Sequence, residues 1–340
     1  MPTDNPINAL ILAAGLGTRM KSKRAKVLHE VLFKPMLIHV LDTVKSLNLD
    51  HTYVIVGHQR QKVAALVAGY RADCIPQEEQ LGTGHAVLCA EKELSRTGGT
   101  VLILSGDVPL VKSDSLRAML ADHRENKPAL TLMATTLEDP TNYGRIVRNS
   151  TGGLLEIVEE KDATDRQKKI REINAGIYCA EVSFLFGALK KVGSNNKQGE
   201  IYLTDIVKIA IEMGLQVGIF SGAGSEEVLG VNSRAELAAA NKYLQHQKNS
   251  DLMADGVSLI DPETIFIQQE VLIGSDTVIN ANVQISGISI IGKNCTIGPD
   301  VVLHDCLIGD NAVIEPFCNL TSCKVQNNQT VKPHSNLKQN

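Results

Sequence analysis

The residues with the clearest chemical potential lie near the N-terminus, in the segment LAAGLGTRM at residues 12–20. Gly15 and Gly17 allow a tight turn and a close approach of the backbone to a ligand, which exposes N–H groups to an anion. Arg19 and Lys26 add two positive charges. A dinucleotide fingerprint would need a third glycine directly after Arg19, and the sequence GxxxxGK[ST] of a Walker loop is absent. The segment predicts a polyphosphate site, with a simple turn as the alternative.

A second candidate is Asp107, which follows the apolar run LILS and Gly106. In an open α/β sheet, ligands bind beyond the carboxyl ends of the strands, so a carboxylate here could hold Mg²⁺ on triphosphate oxygens. Aspartate is also a common turn residue, and Pro109 favours a turn at this point. From these residues alone, Asp107 remains either a metal ligand or a turn former.

A third candidate is the segment EEQLGTGHA at residues 78–86, which Gln77 precedes. The amide of Gln77 can pair with both a carbonyl and an N–H of uracil, and Gly82 and Thr83 offer backbone and hydroxyl groups. A helix that begins with a capping threonine explains the same residues equally well.

Short aliphatic runs alternate with amphipathic stretches between residues 8 and 232, which is the pattern of βαβ units and a largely parallel sheet. This part is predicted to be a three-layer α/β sandwich. We predict strands at 8–12, 52–56, 100–104, 129–136, 173–179 and 216–220, and helices at 37–47, 59–69, 85–96, 113–126, 182–192 and 202–213. Residues 233–250 are predicted to be a linker helix, with Ser233 as its N-cap.

Residues 251–340 have a different sequence pattern, in which aliphatic residues recur every six positions from Ile267 to Leu303. The phase then slips by one and resumes at Ile308. A six-residue period with an inward aliphatic residue is the signature of a hexapeptide parallel β-helix. About nine regular hexapeptides predict about three coils, a short stack for which a contact between subunits is expected.

Composition excludes several classes of protein. A length of 340 residues favours two domains. A net charge of −4 with no basic patch argues against nucleic-acid or membrane binding. Seven scattered cysteines with no CxxC spacing fit free thiols rather than zinc. Free thiols predict a reducing location, the cytoplasm, and the N-terminus has no basic stretch before its short apolar run, so neither a signal peptide nor a transmembrane span is expected.

Nine motifs occur in order before the hexapeptide repeats, and together they resemble one family. They are LAAGLGTRM, EQLGTGHA, GDVPL, DPTNYGRIV, IVEEKDAT, EINAGIY, GEIYLTDIV and GVNSRAEL, together with a lysine seven residues beyond Arg19. The set resembles the bacterial bifunctional enzymes UDP-N-acetylglucosamine pyrophosphorylase / glucosamine-1-phosphate N-acetyltransferase, over residues 8–335. The resemblance implies a Rossmann-like nucleotidyltransferase sandwich over 1–232, akin to glycosyltransferase A, and a short left-handed parallel β-helix over 251–340.

The resemblance also implies a role for individual residues. Asp107 and Asn232 match the two protein ligands of Mg²⁺, and Arg19 and Lys26 match the basic pair that acts on phosphate. Those matching the nucleotide-binding residues are Leu12, Ala13, Ala14, Gly15, Gln77, Gly82 and Thr83, and those matching the sugar-phosphate pocket are Gly144, Glu159, Asn174, Tyr202 and Thr204.

The implied reaction transfers UMP from UTP to N-acetylglucosamine 1-phosphate, with release of pyrophosphate and formation of UDP-N-acetylglucosamine for cell-envelope synthesis. The nucleophile is already an anion, so no general base is needed. Cations should supply the catalysis, with Mg²⁺ between the two phosphates and the basic pair on the pyrophosphate. A homotrimer formed through the β-helix is a further implication of the resemblance.

The sequence departs from the family at two points. Ser105 stands where some relatives have tyrosine, and the β-helix is shorter than that of the acetyltransferase half, so we expect no acetyltransferase activity. The alternatives are a nucleotidyltransferase for a different sugar 1-phosphate or for dTTP, an acyltransferase that uses the β-helix, and a sugar-nucleotide sensor without catalysis.

Overall fold

A computed structural model of the chain describes residues 5–338. These residues form two compact units, of which the first contains residues 5–29 and Pro35–Ser233 and the second contains Glu30–Lys34 and residues 234–338. The short excursion joins the second unit because the amide of Leu32 donates to Asn241 Oδ1 at 2.7 Å and Lys34 pairs with Glu270. The predicted domains of residues 1–232 and 251–340 begin or end in residues 1–4 and 339–340, which lie outside the described residues. The first residues of the N-terminus, for which no signal peptide is predicted, also lie there.

The first unit is built on one nine-stranded sheet. Its strands are β1 (Ile7–Ala13), β2 (His51–Val56), β3 (Asp73–Pro76), β4 (Thr100–Ser105), β5 (Leu130–Thr136), β6 (Arg145–Arg148), β7 (Leu154–Val158), β8 (Glu172–Glu181) and β9 (Val217–Phe220). The order is β9-β5-β8-β4-β1-β2-β3, with β6 paired to β8 and β7 paired to β6. Strands β1 to β4 are mutually parallel, whereas β8 runs antiparallel to β4 and β5.

Helices cover both faces of this sheet. They are α1 (Met36–Lys45), α2 (Arg60–Val67), α3 (Thr83–Leu88), α4 (Glu91–Thr97), α5 (Ser113–Asn126), α6 (Val182–Leu189) and α7 (Asp205–Glu212). Because successive side chains of a strand point to opposite faces, Ile11 packs in the core with α1, α2 and α5, and Leu10 packs in the core with α3, α4, α6 and α7. The predicted three-layer sandwich is confirmed.

The six strands predicted for this sheet are all present, but its three other strands were not predicted, and neither was a separate pair of two-residue strands, Glu30–Val31 and Lys34–Pro35. Strands β3, β6 and β7 are short and carry charged residues such as Arg145, Arg148 and Glu156, which conceal the apolar alternation. The single helix predicted for 85–96 is wrong, because the chain forms α3 and α4 with a break at Cys89 and Ala90.

The order of the strands reverses at β1, which places β2 on one side of it and β4 on the other. The register sets Leu12 beside Ser105, so β1 and β4 end side by side. Such a reversal opens a crevice beyond the carboxyl ends of the two strands. The glycine loop and Asp107 follow these two strands directly.

The second unit is a coil of fourteen short parallel strands in three sheets, of five, five and four strands. In chain order they are Ser258–Leu259, Phe266–Ile267, Leu272–Ile273, Val278–Ile279, Gln284–Ser286, Ile290–Ile291, Thr296–Ile297, Val302–His304, Leu307–Ile308, Val313–Ile314, Asn319–Thr321, Lys324–Val325, Thr330–Val331 and Asn336–Lys338. Every third strand is a neighbour, as a short left-handed β-helix requires.

The prediction of about three coils is wrong, because fourteen strands make more than four. The phase slip predicted after Leu303 is confirmed, since Ile308 stacks on Ile291 one coil earlier. A second slip between Leu320 and Val325 was not predicted. The hexapeptide repeats were therefore followed only as far as Leu320, although Val325 is also buried in the core.

Helix α8 (Arg234–Ala254) extends seven residues beyond the stretch SRAELAAANKYLQHQ from which it was predicted. Its polar side chains close the first coil, because Gln245 and Asn249 donate to the carbonyl of Ile265 at 2.8 and 3.0 Å and Lys248 donates to the carbonyl of Val271 at 2.8 Å. Although α8 has 21 residues, none of the helices within residues 5–338 has both the length and the apolar character needed to cross a membrane.

Candidate active site

One pocket lies beyond the carboxyl ends of β1 and β4 and has a volume of about 190 Å³. Eight of the predicted site residues line it: Leu12, Thr83, Asp107, Gly144, Glu159, Asn174, Thr204 and Asn232. They come from segments spread over more than 200 positions of the sequence. The fold therefore collects the predicted metal ligands and most of the predicted sugar-phosphate residues around a single cavity.

The predicted metal ligands share a lysine. The Lys26 ammonium contacts the Asp107 carboxylate and donates to Asn232 Oδ1 at 2.9 Å. Asp107 is almost fully buried, at 6% exposed. Burial opposes ionisation of this carboxyl, but the Lys26 ammonium and hydrogen bonds from Ser105 and the backbone outweigh it and lower the pKa of Asp107. Asp107 is thus an anion at neutral pH, and Lys26 lies between both predicted ligands rather than toward solvent.

These oxygen donors fit a divalent cation. The Asp107 carboxylate and the Asn232 amide oxygen already bind a positive charge, the Lys26 ammonium. In proteins Mg²⁺ takes few protein ligands and completes its coordination with water and phosphate oxygens. No cluster of three or more His, Cys, Asp or Glu side chains suited to a metal occurs within residues 5–338. A cation bound here would therefore depend on Asp107, Asn232 and the phosphates of its substrates.

The two glycines of the phosphate loop differ in what the fold requires of them. Gly17 has φ of 62°, and a β-carbon there would lie 2.6 Å from Cβ of Lys26. Gly15 is exposed, and a β-carbon there would meet nothing within 4 Å. The described chain therefore needs Gly17 for its own packing. The space beside Gly15 is left open to a ligand.

The other residues of this loop also differ in exposure. Arg19 lies in a single helical turn, Thr18–Met20, and its exposed side chain forms no ion pair with residues 5–338. Ala13 and Ala14 are buried at the end of β1. Arg19 is thus the basic residue whose charge is available to a phosphate.

Gln77 and Gly82 lie outside the lining of this pocket. Gln77 is 5% exposed, and its amide nitrogen lies 3.0 Å from His85 Nδ1 and 3.3 Å from the Gly82 carbonyl. Gln77 lines a separate open cleft of about 470 Å³ together with Leu16 and Gln80. Leu16 belongs to the glycine loop, so this cleft adjoins that loop.

Two threonine hydroxyls fix the wall between α3 and α7. Thr83 Oγ1 accepts from the amide of Leu203 at 3.0 Å, and Thr204 Oγ1 donates to Glu159 Oε1 at 3.1 Å. Burial raises the pKa of Glu159, and the nearby carboxylates of Asp205 and Asp162 raise it further, while the Thr204 hydrogen bond opposes them. The ionised carboxylate of Glu159 is therefore poorly stabilised in the folded chain, and additional hydrogen-bond donors would stabilise it.

Asn174 owes its position to an irregularity in β8. The register with β5 shifts between Asn174 and Tyr178, and Gly176 has φ of 73°. Asn174 Nδ2 donates to Tyr178 Oη at 2.6 Å, while Asn174 Oδ1 accepts from the Gly176 amide at 3.1 Å. The bulge re-aims the side chain toward the pocket. Beside it, a β-carbon at Gly144 would lie 2.9 Å from Ile157 Cγ2, so close packing against the neighbouring strand requires glycine there.

The structure places one residue predicted for the sugar-phosphate pocket outside its lining and adds others to it. Tyr202 is buried outside the pocket lining, and its hydroxyl lies 3.1 Å from Asp162 Oδ2. Tyr143 lines the pocket, and its hydroxyl accepts from the amide of Gly230 at 3.2 Å. Tyr143 lies beside Gly144 in the motif DPTNYGRIV, which was the available signal. Ser105, noted only as a departure from the family, lines the pocket and helps to lower the pKa of Asp107.

Comparison with known proteins supports the two-part organisation. Residues 9–175 match the family model of MobA-like NTP transferase domains, and residues 288–322 match that of bacterial transferase hexapeptide repeats. The bifunctional protein GlmU of Desulfotalea psychrophila is 47% identical over 306 residues, which is 90% of each chain. The chain belongs to the GlmU family. The GlmU protein of Listeria monocytogenes serotype 4a is 45% identical over 86% of this chain, which spans 65% of that relative.

Membership of the GlmU family defines the class of chemistry. The chain is an enzyme, a nucleotidyltransferase of the UDP-N-acetylglucosamine pyrophosphorylase type. Its substrates are of the nucleotide and sugar-phosphate kind, and the family's nucleotidyltransferases use a divalent metal. The hexapeptide repeats complete the resemblance inferred from the motifs.

Proposed function

We propose that this chain transfers UMP from UTP to N-acetylglucosamine 1-phosphate at the pocket beyond β1 and β4, using Mg²⁺. The observation that carries the proposal is the cluster of Lys26, Asp107 and Asn232 in the crevice where β1 and β4 end. A cation held between a carboxylate and an amide oxygen suits the joining of two anionic substrates. A simple turn at Gly15–Gly17 would not need this arrangement.

Charge repulsion is the main obstacle to the reaction. The phosphate oxygen of the sugar 1-phosphate attacks the α-phosphorus of UTP in line, the bond to the bridging oxygen breaks, and pyrophosphate leaves. Asp107 and Asn232 would hold Mg²⁺, which supplies positive charge to the reacting phosphates. Arg19 is exposed at the glycine loop and binds the pyrophosphate portion. No proton has to leave the nucleophile, so the pocket needs no general base.

Nucleotide recognition is assigned to the glycine loop and its neighbours. The open space beside Gly15 allows a phosphate to approach the backbone of Leu12, Ala13 and Ala14. Gln77 and Gly82, with Thr83 at the start of α3, present amide, backbone and hydroxyl groups to a uracil ring. Gln77 is held by His85 and Gly82, which fixes the direction of its amide.

Recognition of the sugar is assigned to Glu159 and Asn174. Within residues 5–338, Glu159 has one hydrogen-bond donor, the Thr204 hydroxyl, and burial of this carboxyl raises its pKa. Sugar hydroxyls would donate to it. The Asn174 amide can bind an N-acetyl group, and the backbone of Gly144 lines the same pocket. Tyr202 lies outside the pocket lining, and its hydroxyl donates to Asp162.

Formation of UDP-N-acetylglucosamine and pyrophosphate from UTP and N-acetylglucosamine 1-phosphate tests the proposal, with Mg²⁺ and with EDTA. We expect turnover only with the metal. Glucose 1-phosphate, N-acetylgalactosamine 1-phosphate and dTTP serve as competing substrates. A higher kcat/KM for one of these would replace the proposed specificity, and turnover unaffected by EDTA would contradict the role of Mg²⁺.

We also propose that the chain forms a homotrimer in the cytoplasm, where UTP is available. Leu272, Ile290 and Leu307 stack in register on the outer face of the four-stranded sheet and are 62%, 44% and 45% exposed. Association with other copies would cover this apolar stripe. Light scattering should give three times the chain mass, and Ile290→Lys should give the mass of one chain. A wild-type monomer would contradict the trimer.

A further inference from the structure

Arg145 is one of the largest fully buried side chains within residues 5–338, and it is a charged one. Its exposed fraction is 1%, and it does not line the pocket. Arg145 Nη2 donates to Glu160 Oε2 at 2.6 Å and lies 3.4 Å from the Lys168 carbonyl, while Nη1 donates to the carbonyl of Tyr143. A single guanidinium thus links three separate segments of the chain.

Each of these links lies next to a residue of the proposed sugar site. Tyr143 and Arg145 flank Gly144, and Glu160 follows Glu159 directly. The Gly144 carbonyl accepts from the amide of Asn174 at 2.9 Å. The backbone around Arg145 is therefore the same backbone that sets the positions of Gly144, Glu159 and Asn174.

Stability alone is a poor explanation for this ion pair. Removing the Arg145 guanidinium from water is costly, and its partner Glu160 keeps 25% of its side chain exposed, so solvent weakens the attraction that would offset this cost. The Nε atom of Arg145 also has no hydrogen-bond partner within residues 5–338, which adds to the cost. The rigid fork of a guanidinium fixes several acceptors at once, and lysine cannot do this.

A second ion pair on the same strand provides a contrast. Arg148 donates to both carboxylate oxygens of Glu172 at 2.6 and 2.8 Å, but its side chain is 37% exposed. Neither residue is next to a lining residue of the pocket in the sequence. The chain therefore contains a matched control for the effect of losing an arginine–glutamate pair in β6.

We propose that Arg145 and Glu160 are positioning residues for the sugar 1-phosphate. They touch no substrate, and they act by fixing the backbone that carries Gly144 and Glu159. This inference rests on the proposed function, since it assigns the sugar to that end of the pocket. The pair should therefore govern the KM for the sugar 1-phosphate and leave the KM for UTP unchanged.

The test compares Arg145→Lys, Glu160→Gln and the control Arg148→Lys in the full chain. We expect Arg145→Lys to raise the KM for N-acetylglucosamine 1-phosphate about tenfold, because small displacements of a binding wall are costly. Glu160→Gln should raise it about threefold, since the amide keeps one acceptor oxygen. In both, the KM for UTP should stay within about twofold of wild type, and Arg148→Lys should leave both values unchanged.

Calorimetry with UDP-N-acetylglucosamine and with UTP gives a second readout that does not depend on turnover. Selective weakening of the sugar nucleotide supports the proposal. A lower unfolding temperature with both KM values unchanged would overturn it, and so would an equal rise in both. If Arg145→Lys does not fold, Glu160→Gln decides in the same way. If wild type prefers another sugar 1-phosphate, the proposed specificity fails, and the same comparison is made with that sugar.

Discussion

Each unit of the molecule contains a largely buried lysine, and the two ammonium groups differ in what they bind. In the first unit, Lys26 binds side-chain oxygens, those of Asp107 and Asn232. In the second unit, Lys248 binds backbone oxygens, the carbonyls of Gln269 and Val271 at 2.9 and 2.8 Å. The two lysines are thus alike in being largely buried, and they differ in the oxygens that they bind.

The partners determine what each lysine can do. Within residues 5–338, the carbonyls of Gln269 and Val271 in the first coil have no other donor to replace Lys248, so that lysine stabilises the fold. Burial lowers the pKa of Lys248, while the carboxylates of Asp251 and Glu270 oppose the shift. The oxygens around Lys26 are those that a divalent cation prefers, so its contacts can be exchanged for those of a ligand.

Loss of the Asp107 carboxylate should have the largest effect on the reaction. Asp107→Asn removes the anion that would hold Mg²⁺, and we expect kcat to fall about a thousandfold or more. Steady-state kinetics at saturating Mg²⁺ measures the loss. Glu270→Gln breaks the Lys34 ion pair of the second unit and should leave kcat unchanged. Near-normal activity of Asp107→Asn would remove Asp107 from the site.

Glu159→Gln should raise the KM for the sugar 1-phosphate about ten- to a hundredfold, because sugar hydroxyls lose an anionic acceptor. The KM for UTP should stay close to wild type. Substrate-saturation kinetics for both substrates checks this split. A parallel loss of affinity for UTP would contradict the division of the pocket into a nucleotide part and a sugar part.

The same substitution should stabilise the protein near neutral pH. The pKa of Glu159 is raised in the folded state, so its contribution to stability is fully present below its unfolded pKa and is lost as pH rises through the folded pKa. Glu159→Gln has no charge to bury, so its unfolding temperature should exceed that of wild type at pH 7 to 8. The difference should vanish at about pH 4. Equal unfolding temperatures at pH 7.5 would contradict the raised pKa.

Lys26→Met should tighten the binding of Mn²⁺ in the absence of nucleotide by about tenfold, because a competing positive charge leaves the two donors. Mn²⁺ titration followed by electron paramagnetic resonance measures the affinity directly. Lys23→Met, in the same segment but at an exposed lysine, is the control. Equal Mn²⁺ affinity in the Lys26 variant and wild type would show that the ammonium does not occupy the cation site.

Lys248→Met should leave every kinetic constant unchanged and destabilise the second unit by about 1–3 kcal/mol, because two buried carbonyls lose their donor. Urea unfolding and amide exchange of the β-helix measure the loss. Lys242→Met, on the same helix but 46% exposed, should have a much smaller effect. A loss of catalysis in Lys248→Met would undo the distinction between the two lysines.

The sequence determined the layers of the first unit and the coil of the second, because both depend on hydrophobic periods within short segments. Alternating runs such as Asn8–Leu12 and the six-residue repeat from Ile267 are local signals. The alternation of apolar residues did not predict β6, because Arg145 occupies a buried position in that strand. The six-residue repeat was not followed past Leu320, because the second slip of the β-helix shortens the spacing there by one residue.

The sequence also determined the types of residue at the site, through motifs whose chemistry can be read without coordinates. The tertiary structure decided their partners. Lys26 lies 81 positions from Asp107 and 206 from Asn232; the order of β1 and β4 brings Lys26 to Asp107, and the amide of Val231 donates to the Asp107 carbonyl and so places Asn232 beside them. Contacts between distant segments leave no periodic pattern in a sequence. For the same reason the burial of Arg145 behind the sugar pocket became visible only in the folded chain.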